Sequence, residues 1–245
     1  MPEITLSKRT MKSTSVVTVT YKDYDGLCRT LRSISSLPSH PSEVVVVNGN
    51  PGDQSDDIAR SFGNVLNLIL ISESDNGIYD AMNKGRSRAS GDLVHYLNSG
   101  DTVHGNPYEE MVEPCLLPVR FVDEQHGATW MAAIGVYGYG YCHQGIIFPQ
   151  SHQAYDTNYL ISADFDLIIR EFPRGLTELP SNLRGSVEFV MDGVSSNKRY
   201  LRDREIFISL LRNDCTQEAI KFAGSAFVKL FIPKVVRRAI RARHR

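Results

Sequence analysis

Asp101 closes the run Leu97-Asn98-Ser99-Gly100-Asp101, directly after a short apolar segment. A carboxylate placed just past a buried strand can hold Mg²⁺ or Mn²⁺, hard cations that bridge phosphate oxygens and neutralise charge developing on a leaving diphosphate. Asn-Ser-Gly-Asp is also a good turn sequence, in which Asp101 would do no more than end a strand. Upstream, residues 72–85 read Ser-Glu-Ser-Asp-Asn-Gly-Ile-Tyr-Asp-Ala-Met-Asn-Lys-Gly, a polar loop running into a short helix. Residues 72–101 thus set a polar loop, a helix, a buried strand and a terminal carboxylate in an order suited to gripping a nucleoside diphosphate through a divalent cation. Two other nucleotide devices are missing. The first strand is followed by Tyr21-Lys22-Asp23-Tyr24-Asp25-Gly26 rather than Gly-x-Gly-x-x-Gly, and no Walker loop occurs, so redox and P-loop chemistry lose ground.

The elements that must position these residues follow from periodicity. Residues 15–21 alternate β-branched side chains as a buried strand, and Leu27, Leu31 and Ile34 repeat at helical spacing across 24–37. Residues 43–47 form a second apolar strand, broken by Asn48-Gly49-Asn50-Pro51-Gly52 before a helix over 53–62. A third strand over 66–71, a helix over 78–89 and a fourth strand over 93–97 complete the pattern. Such alternation predicts an α/β fold whose mostly parallel central sheet is flanked by helices on both faces, a Rossmann-like nucleotide-binding half. Ligands of open sheets collect beyond the carboxyl ends of the strands. Here those ends are Tyr21 to Asp23, Asn48 to Asn50, Ser72 to Asn76 and Asn98 to Asp101.

Beyond Thr102 the pattern loosens around Pro107, Pro114 and Pro118, then a Gly/Tyr-rich stretch over 135–141 leads into His143, Gln144 and an apolar run over 145–148. A helix over 159–172 has Asp164 and Asp166 near its start, and a last strand over 186–191 precedes the small loop Asp192-Gly193-Val194-Ser195. The expected organisation is a loose leader (1–14), a nucleotide-sugar-binding half (15–101), an acceptor-binding half of the same domain (102–215) and a basic amphipathic tail (216–245).

The 245-residue chain has ordinary globular composition, with 42% hydrophobic and 22% charged residues. Its formal net charge of -1 conceals an asymmetry: beyond Glu218 there is no acid, while eight Lys and Arg residues follow. Cys28, Cys115, Cys142 and Cys215 show no Cys-x-x-Cys pair, and no apolar signal stretch follows Met1, which points to a reducing cytoplasm. No apolar run approaches the ~20 residues that a spanning helix needs.

Taken together, segments 15–21, 44–49, 73–91, 97–101, 142–149, 162–170 and 188–195 resemble family-two glycosyltransferases of the GT-A fold, especially bacterial members that build surface polysaccharides and glycolipids. Asp-Asn-Gly-Ile-Tyr-Asp-Ala-Met-Asn-Lys-Gly is the most specific piece. The resemblance implies a nucleotide-sugar site at the strand ends that includes Thr20, Tyr21, Asn48, Asp75, Asn83, Lys84 and Asn98. The family usually carries Asp at the place of Asn48, near the base or ribose. Asn83 and Lys84 also read as a solvated helix end. Of the family's metal motif Asp101 is the one carboxylate left, which implies a Mg²⁺ or Mn²⁺ held weakly and bound mainly through the donor.

Asp164, in Ser-Ala-Asp-Phe-Asp-Leu, matches the family's general base for inverting attack by an acceptor hydroxyl; the plain alternative is an N-terminal helix acid, which also accounts for Asp166. His143 and Gln144 resemble the family's His-Gln pair on the acceptor or diphosphate side, although a satisfied buried histidine is the ordinary alternative. Gly193 and Ser195 resemble a loop closing on the site, or make a plain turn. Trp130, Tyr137, Tyr139 and Tyr141 are candidates for stacking a sugar or for core and rim positions.

In the tail, Lys234, Arg237, Arg238, Arg241 and Arg245 share one helical face opposite Val235, Val236, Ala239 and Ile240. Such a helix can lie on an anionic leaflet; a nucleic-acid patch or disordered tail is the alternative, and no nucleic-acid partner is expected. The expectation is an inverting transferase moving a sugar from an NDP-sugar to a hydroxyl of a lipid-linked glycan or glycolipid, peripheral to the inner face of the plasma membrane. A catalytically silent protein of the same fold, binding a nucleotide or a partner at the membrane, is the alternative that Asn48 and the depleted metal motif motivate.

Overall fold

The computed structural model describes residues 10–123, 128–131, 142–191 and 198–231. Strands β1 (Thr14–Thr20) and β2 (Glu43–Asn48) are buried at every position, which is why their sequences read as unbroken β-branched runs rather than alternating ones. Together with β3 (Leu68–Ser72) and β4 (Leu93–Tyr96) they form a parallel array in the order β3-β2-β1-β4. The chain runs outward from β1 to β3 and returns on the other side at β4. The carboxyl ends of β1 and β4 therefore flank a topological switch point, the place where such sheets open a crevice.

Helices α1 (Tyr24–Ser35) and α2 (Gln54–Ser61) cover one face of this sheet, with Leu27, Leu31, Ile34 and Ala59 packed on Val16, Val44 and Val46. The other face, with Val17, Val19, Val45 and Val47, takes α3 (Ile78–Arg88) and α4 (Ala163–Glu171). Gly85 lets α3 approach closely, since a Cβ there would overlap Val17 and press on Val47.

Several elements differ from the periodicity reading. The first strand starts at Thr14, and the residues before it are tied down: the Lys12 amide donates to Met111 O at 2.7 Å, and the Ser13 hydroxyl to Asp92 Oδ2 at 2.8 Å. The apolar run after Gln144 is β9 (Ile146–Pro149), which extends the main sheet antiparallel to β4 and pairs in turn with β6 (Cys115–Leu116). The last strand, β10 (Gly185–Val190), leaves the main sheet altogether. It lies in a second sheet between β5 (Thr102–Gly105) and β7 (Val119–Asp123), with β8 (Ala128–Met131) beyond. Helix α4 starts at Ala163, four residues later than 159, because residues 159–162 are drawn out as a loop. Two further helices, α5 (Arg199–Arg212) and α6 (Thr216–Phe231), pack on α4 through Ile169, Leu210 and Ala219. Among the described residues no helix is long and apolar enough to cross a membrane.

Three histidines sit inside this framework. His95 Nε2 faces Gln144 O at 2.7 Å and Nδ1 faces the Tyr108 hydroxyl at 2.8 Å; His152 Nδ1 faces Pro149 O at 2.6 Å and Nε2 the Tyr96 hydroxyl at 2.8 Å. A carbonyl only accepts, so in each ring the nitrogen beside it carries the proton and the other accepts from tyrosine. Burial holds His95 and His152 down to about 4 and His143 to about 3, from an ordinary 6.5.

Two outcomes are expected. Gly85→Ala should lower the thermal midpoint, because overpacking against Val17 and Val47 costs about 1–3 kcal/mol while helix propensity returns about 1; an unchanged or raised midpoint would contradict this packing. The histidines are protonated first in the unfolded chain, near pH 6.5, and in the folded one only near 3 to 4. Their stabilisation is complete above pH 6.5 and lost on acidification, each contributing up to ~1.4 kcal/mol per pH unit. Asp101, pushed up to about 8, and Asp164, also raised by burial, work in the opposite sense. The three rings outweigh these carboxylates only below about pH 6, so urea midpoints should fall from pH 6 to pH 5, and a flat profile across that window would contradict the burial of neutral rings.

Candidate active site

Asp101 is fixed from three directions. After β4 the chain turns through Gly100, at φ +98°, and the Asp101 amide donates to Asn98 O at 3.1 Å. Thr30, wholly buried on α1, grips that turn: its hydroxyl donates to Asp101 O at 2.7 Å and accepts from the Gly100 amide at 3.0 Å. The carboxylate itself accepts the Val190 amide at 3.1 Å, from the end of β10, so it stands where the two sheets meet. It is 4% exposed. Desolvation raises it to about 8, with Asp23 adding repulsion, against the Val190 N–H and the Arg29 guanidinium, which favour the charged form.

Asp23 is the N-cap of α1, its Oδ1 accepting the Gly26 amide at 3.0 Å, while Oδ2 accepts the Ser99 hydroxyl at 2.7 Å across the turn. Gly26 is required here, because a Cβ would overlap the Asp23 carboxylate. One loop after β1 and one after β4 are thus stitched together at the switch point.

Asp164 lies in the first turn of α4. Its Oδ1 accepts from the Phe165 amide at 2.8 Å and lies 3.2 Å from the Tyr79 hydroxyl, whose single proton is shared with Ile161 O at 2.5 Å. Burial raises its pKa, with the Glu205 charge adding to the effect and the Phe165 and Tyr79 donors opposing it. Asp166 has a different fate: it accepts from Arg170 Nε at 2.7 Å and from the Ser209 hydroxyl at 2.8 Å, wholly engaged in fastening α4 to α5.

Both aspartates open into one cavity of about 660 Å³. Asn98, His143 and Gln144 line it as well, so five of the candidate residues converge from β4, the 3₁₀ turn before β9, and α4. Asn98 Oδ1 is buried without a hydrogen-bond partner. His143 is neutral, its Nε2 lying 2.6 Å from the Tyr155 hydroxyl, and Gln144 Oε1 accepts the Cys142 thiol at 3.2 Å. The wall between is apolar, with Ile78, Met82, Leu160, Ile161, Phe189 and Val190.

The other candidates are not brought to this lining. Asn48 is wholly buried, its amide nitrogen within 3.0 Å of Asn50 O, Asp53 Oδ1 and Asp56 Oδ1 and its oxygen accepting the Asn50 amide, so it shapes the loop after β2. Asn83 pairs both ends of its amide with the Tyr155 backbone, at 2.9 and 2.8 Å. Lys84 donates to Ser74 O at 2.6 Å and pairs with Glu73 at 3.1 Å, and Asp75 Oδ1 accepts the Gly77 amide at 2.9 Å; both hold the loop before α3. Thr20 is buried, with its hydroxyl 3.5 Å from Asp23 O, and Tyr21 is exposed under Lys22. Gly193, Ser195, Tyr137, Tyr139 and Tyr141 lie outside the described residues, as do 232–245 of the basic tail, while Trp130 belongs to β8. Conversely, Asp23, Arg29 and Tyr79 line the cavity although none is among the expected site residues; Tyr79 lies within the Asp-Asn-Gly-Ile-Tyr-Asp motif. For Asp23 the signal was its place at the end of β1.

Among the described residues no group of three or more His, Cys, Asp or Glu side chains is gathered for a metal. The donor set still fits a hard cation that takes most of its oxygens from a ligand: Asp101 is a desolvated carboxylate bonded to one backbone amide, with Asp23 near enough to raise its pKa.

Residues 15–119 match the family model of glycosyl transferase family 2. An uncharacterized glycosyltransferase of Mycobacterium tuberculosis is 40% identical over 93 residues, covering 37% of this chain and 35% of that one. A PGL/p-HBAD biosynthesis glycosyltransferase of Mycobacterium bovis is 28% identical over 160 residues, covering 58% of this chain and 62% of its own length. The chain thus spans less than two thirds of either relative. Among solved structures, S. aureus TarS 1–349 in complex with UDP superposes with a TM-score of 0.60 at 15% identity, over 81% of this chain and 65% of that one. The mannosyltransferase PcManGT of Pyrobaculum calidifontis, in complex with GDP-Man and Mn²⁺, gives 0.57 at 15%, over 83% and 64%. Residues 15–119, which hold the parallel β3-β2-β1-β4 array and the crevice at its switch point, thus match glycosyl transferase family 2, and the sheet has the GT-A fold of these structural neighbours.

Proposed function

We propose that the protein is an inverting glycosyltransferase that moves a sugar from a nucleoside-diphosphate sugar to a hydroxyl of a lipid-linked glycan or glycolipid. The observation that carries this reading is the shared cavity: Asp101 on the donor side and Asp164 on the acceptor side line the same space of about 660 Å³. That volume suits a ligand the size of a sugar diphosphate. The relatives and structural neighbours named for glycolipid biosynthesis, UDP and GDP-Man support the donor and acceptor classes.

In this reading Asp164 takes the proton of the acceptor hydroxyl as its oxygen bonds to the anomeric carbon, and the bond from that carbon to the diphosphate oxygen breaks with its electron pair. A raised pKa suits a carboxylate to that task, because it makes a stronger base. Asp101, with Asp23 nearby, would hold a Mg²⁺ or Mn²⁺, which supplies charge neutralisation for the diphosphate. Arg29 adds a positive group from α1, and the unpartnered Asn98 Oδ1 offers an acceptor to a ligand hydroxyl. His143 stays neutral and orients through Tyr155, and Gln144 presents its amide beside it. Asn48, Asp75, Asn83 and Lys84 serve the donor indirectly, by fixing the loops after β2 and β3. Gly193 and Ser195 are assigned to a loop that closes over the acceptor.

Nucleotide release from a panel of UDP- and GDP-sugars, with and without Mn²⁺, tests the reaction. With the donor so found, Asp164→Asn should cut turnover by about 10²–10⁴-fold and leave UDP or GDP binding by calorimetry unchanged; near wild-type turnover would remove Asp164 from this role.

We assign the chain to the cytoplasmic face of the membrane, peripherally bound through its basic tail. Removing residues 232–245 takes away six cations and should abolish co-sedimentation with vesicles containing phosphatidylglycerol but not alter the weak binding to pure phosphatidylcholine. Equal binding of both forms to anionic vesicles would contradict that placement.

A further inference from the structure

Glu205 is a buried carboxylate, 5% exposed, on α5, and nothing in the proposed reaction uses it. It accepts three successive backbone N–H groups, Leu160 on Oε1 and Ile161 and Ser162 on Oε2, each at 2.9 Å. Those groups enter α4, whose N-cap Ser162 makes no side-chain cap of its own; its hydroxyl instead donates to Arg202 O at 3.3 Å. A carboxylate from a neighbouring helix thus binds the N-cap residue and the two residues before it, and it lies near the positive end of the α4 dipole. On the opposite side, the Tyr79 hydroxyl from α3 shares its proton between Ile161 O and Asp164 Oδ1, at 2.5 and 3.2 Å. The loop of residues 160–164 is therefore held by two side chains from two helices, one through its N–H groups and one through a carbonyl.

We propose that Glu205 and Tyr79 are positioning residues that hold the loop carrying Asp164 at the cavity wall and set the charge environment of its carboxylate. The inference rests on the reading of Asp164 as the base, and goes beyond it by naming what aims and tunes that base. Glu205 gives three charge-assisted bonds and a negative charge behind Asp164, whereas Tyr79 gives a donor in front of it. The groups facing Asp164 from the packed elements are Tyr79 on α3, Glu205 on α5, Tyr155 in the loop before α4, and Cys142 ahead of the 3₁₀ turn. Of these, Glu205 is the carboxylate and Tyr79 the hydrogen-bond donor, so their removal acts on Asp164 in opposite directions.

The test uses the full chain labelled with ¹³C at aspartate carboxyls, the Asp164 signal being identified by its loss in Asp164→Asn. In Glu205→Gln the negative charge is gone, and the Asp164 midpoint should move to lower pH; in Tyr79→Phe the donor is gone, and it should move to higher pH. Hydrogen exchange at Leu160, Ile161 and Ser162 should also quicken by about tenfold or more in Glu205→Gln, because an amide has one acceptor oxygen where the carboxylate has two. Midpoints that stay put, or move the same way in both variants, would overturn the proposal, since a purely structural role predicts no opposed shift. Should Glu205→Gln fail to fold, Tyr79→Phe alone decides: a higher midpoint supports the tuning role and an unchanged one overturns it. None of these readouts needs a substrate, so the proposal can fail while Asp164 remains the base, and the base assignment can fail in turnover while these shifts persist.

Discussion

A carboxylate withdrawn from water with a single hydrogen bond to compensate keeps its charge only if something else arrives to balance it. Asp101 is in that condition, 4% exposed and bonded among the described residues to the Val190 amide, with the Arg29 charge near, and desolvation raises it to about 8. Desolvation thus favours its protonated form near neutral pH, and a cation binding there would have to displace a proton. In the proposed reading, such a group would suit a cation that comes with its own anionic ligand, such as a diphosphate. Much of the surrounding structure serves to maintain this unsatisfied group: Thr30 fixes the turn from α1, Asp23 and Ser99 join the loops after β1 and β4, and β10 supplies the one amide.

The second carboxylate is handled differently. Asp164 is half-buried, and it is surrounded by groups that oppose one another: the Phe165 and Tyr79 donors favour its charge, whereas burial and Glu205 disfavour it. Its helix does not belong to the nucleotide-binding array by sequence, since it arrives after the second sheet has begun, yet α4 packs on the same sheet face as α3. Asp166 fastens α4 to α5 through Ser209 and Asn213, and Arg170 ties its far end to Ala154 O at 2.9 Å. Helix α3 and the start of α4 therefore meet through Tyr79, whose hydroxyl touches Ile161 O and Asp164 Oδ1.

How legible this was depended on what each residue's side chain had to do. Strands β1 to β4 were readable because helices cover both faces, which demands continuous apolar β-branched runs. The second sheet was not, since β5, β7, β8 and β10 are short or carry mixed residues such as Arg120 and Glu188, whose ion pair lies on the sheet surface. β10 itself was found as a strand, but nothing in its sequence says which sheet it joins. Asp101 and Asp164 were readable from their place at the end of a strand and the start of a helix, supported by family resemblance. Asn48, Asn83 and Lys84 have the residue types of a binding site, yet each spends its hydrogen bonds on nearby backbone or carboxylates. Residue type shows that bonds must be made, and only the fold shows to whom. Glu205 was invisible for the same reason, its three partners lying more than 40 positions away.

The most direct measurement is the anomalous scattering of manganese in crystals grown with UDP and Mn²⁺. The expected result is an ion bonded to an Asp101 carboxylate oxygen and to both phosphates, with the terminal phosphate turned into the cavity toward Asp164. Manganese and UDP seated elsewhere, or a diphosphate facing away from Asp164, would contradict the claim that one cavity joins the two carboxylates in a single reaction.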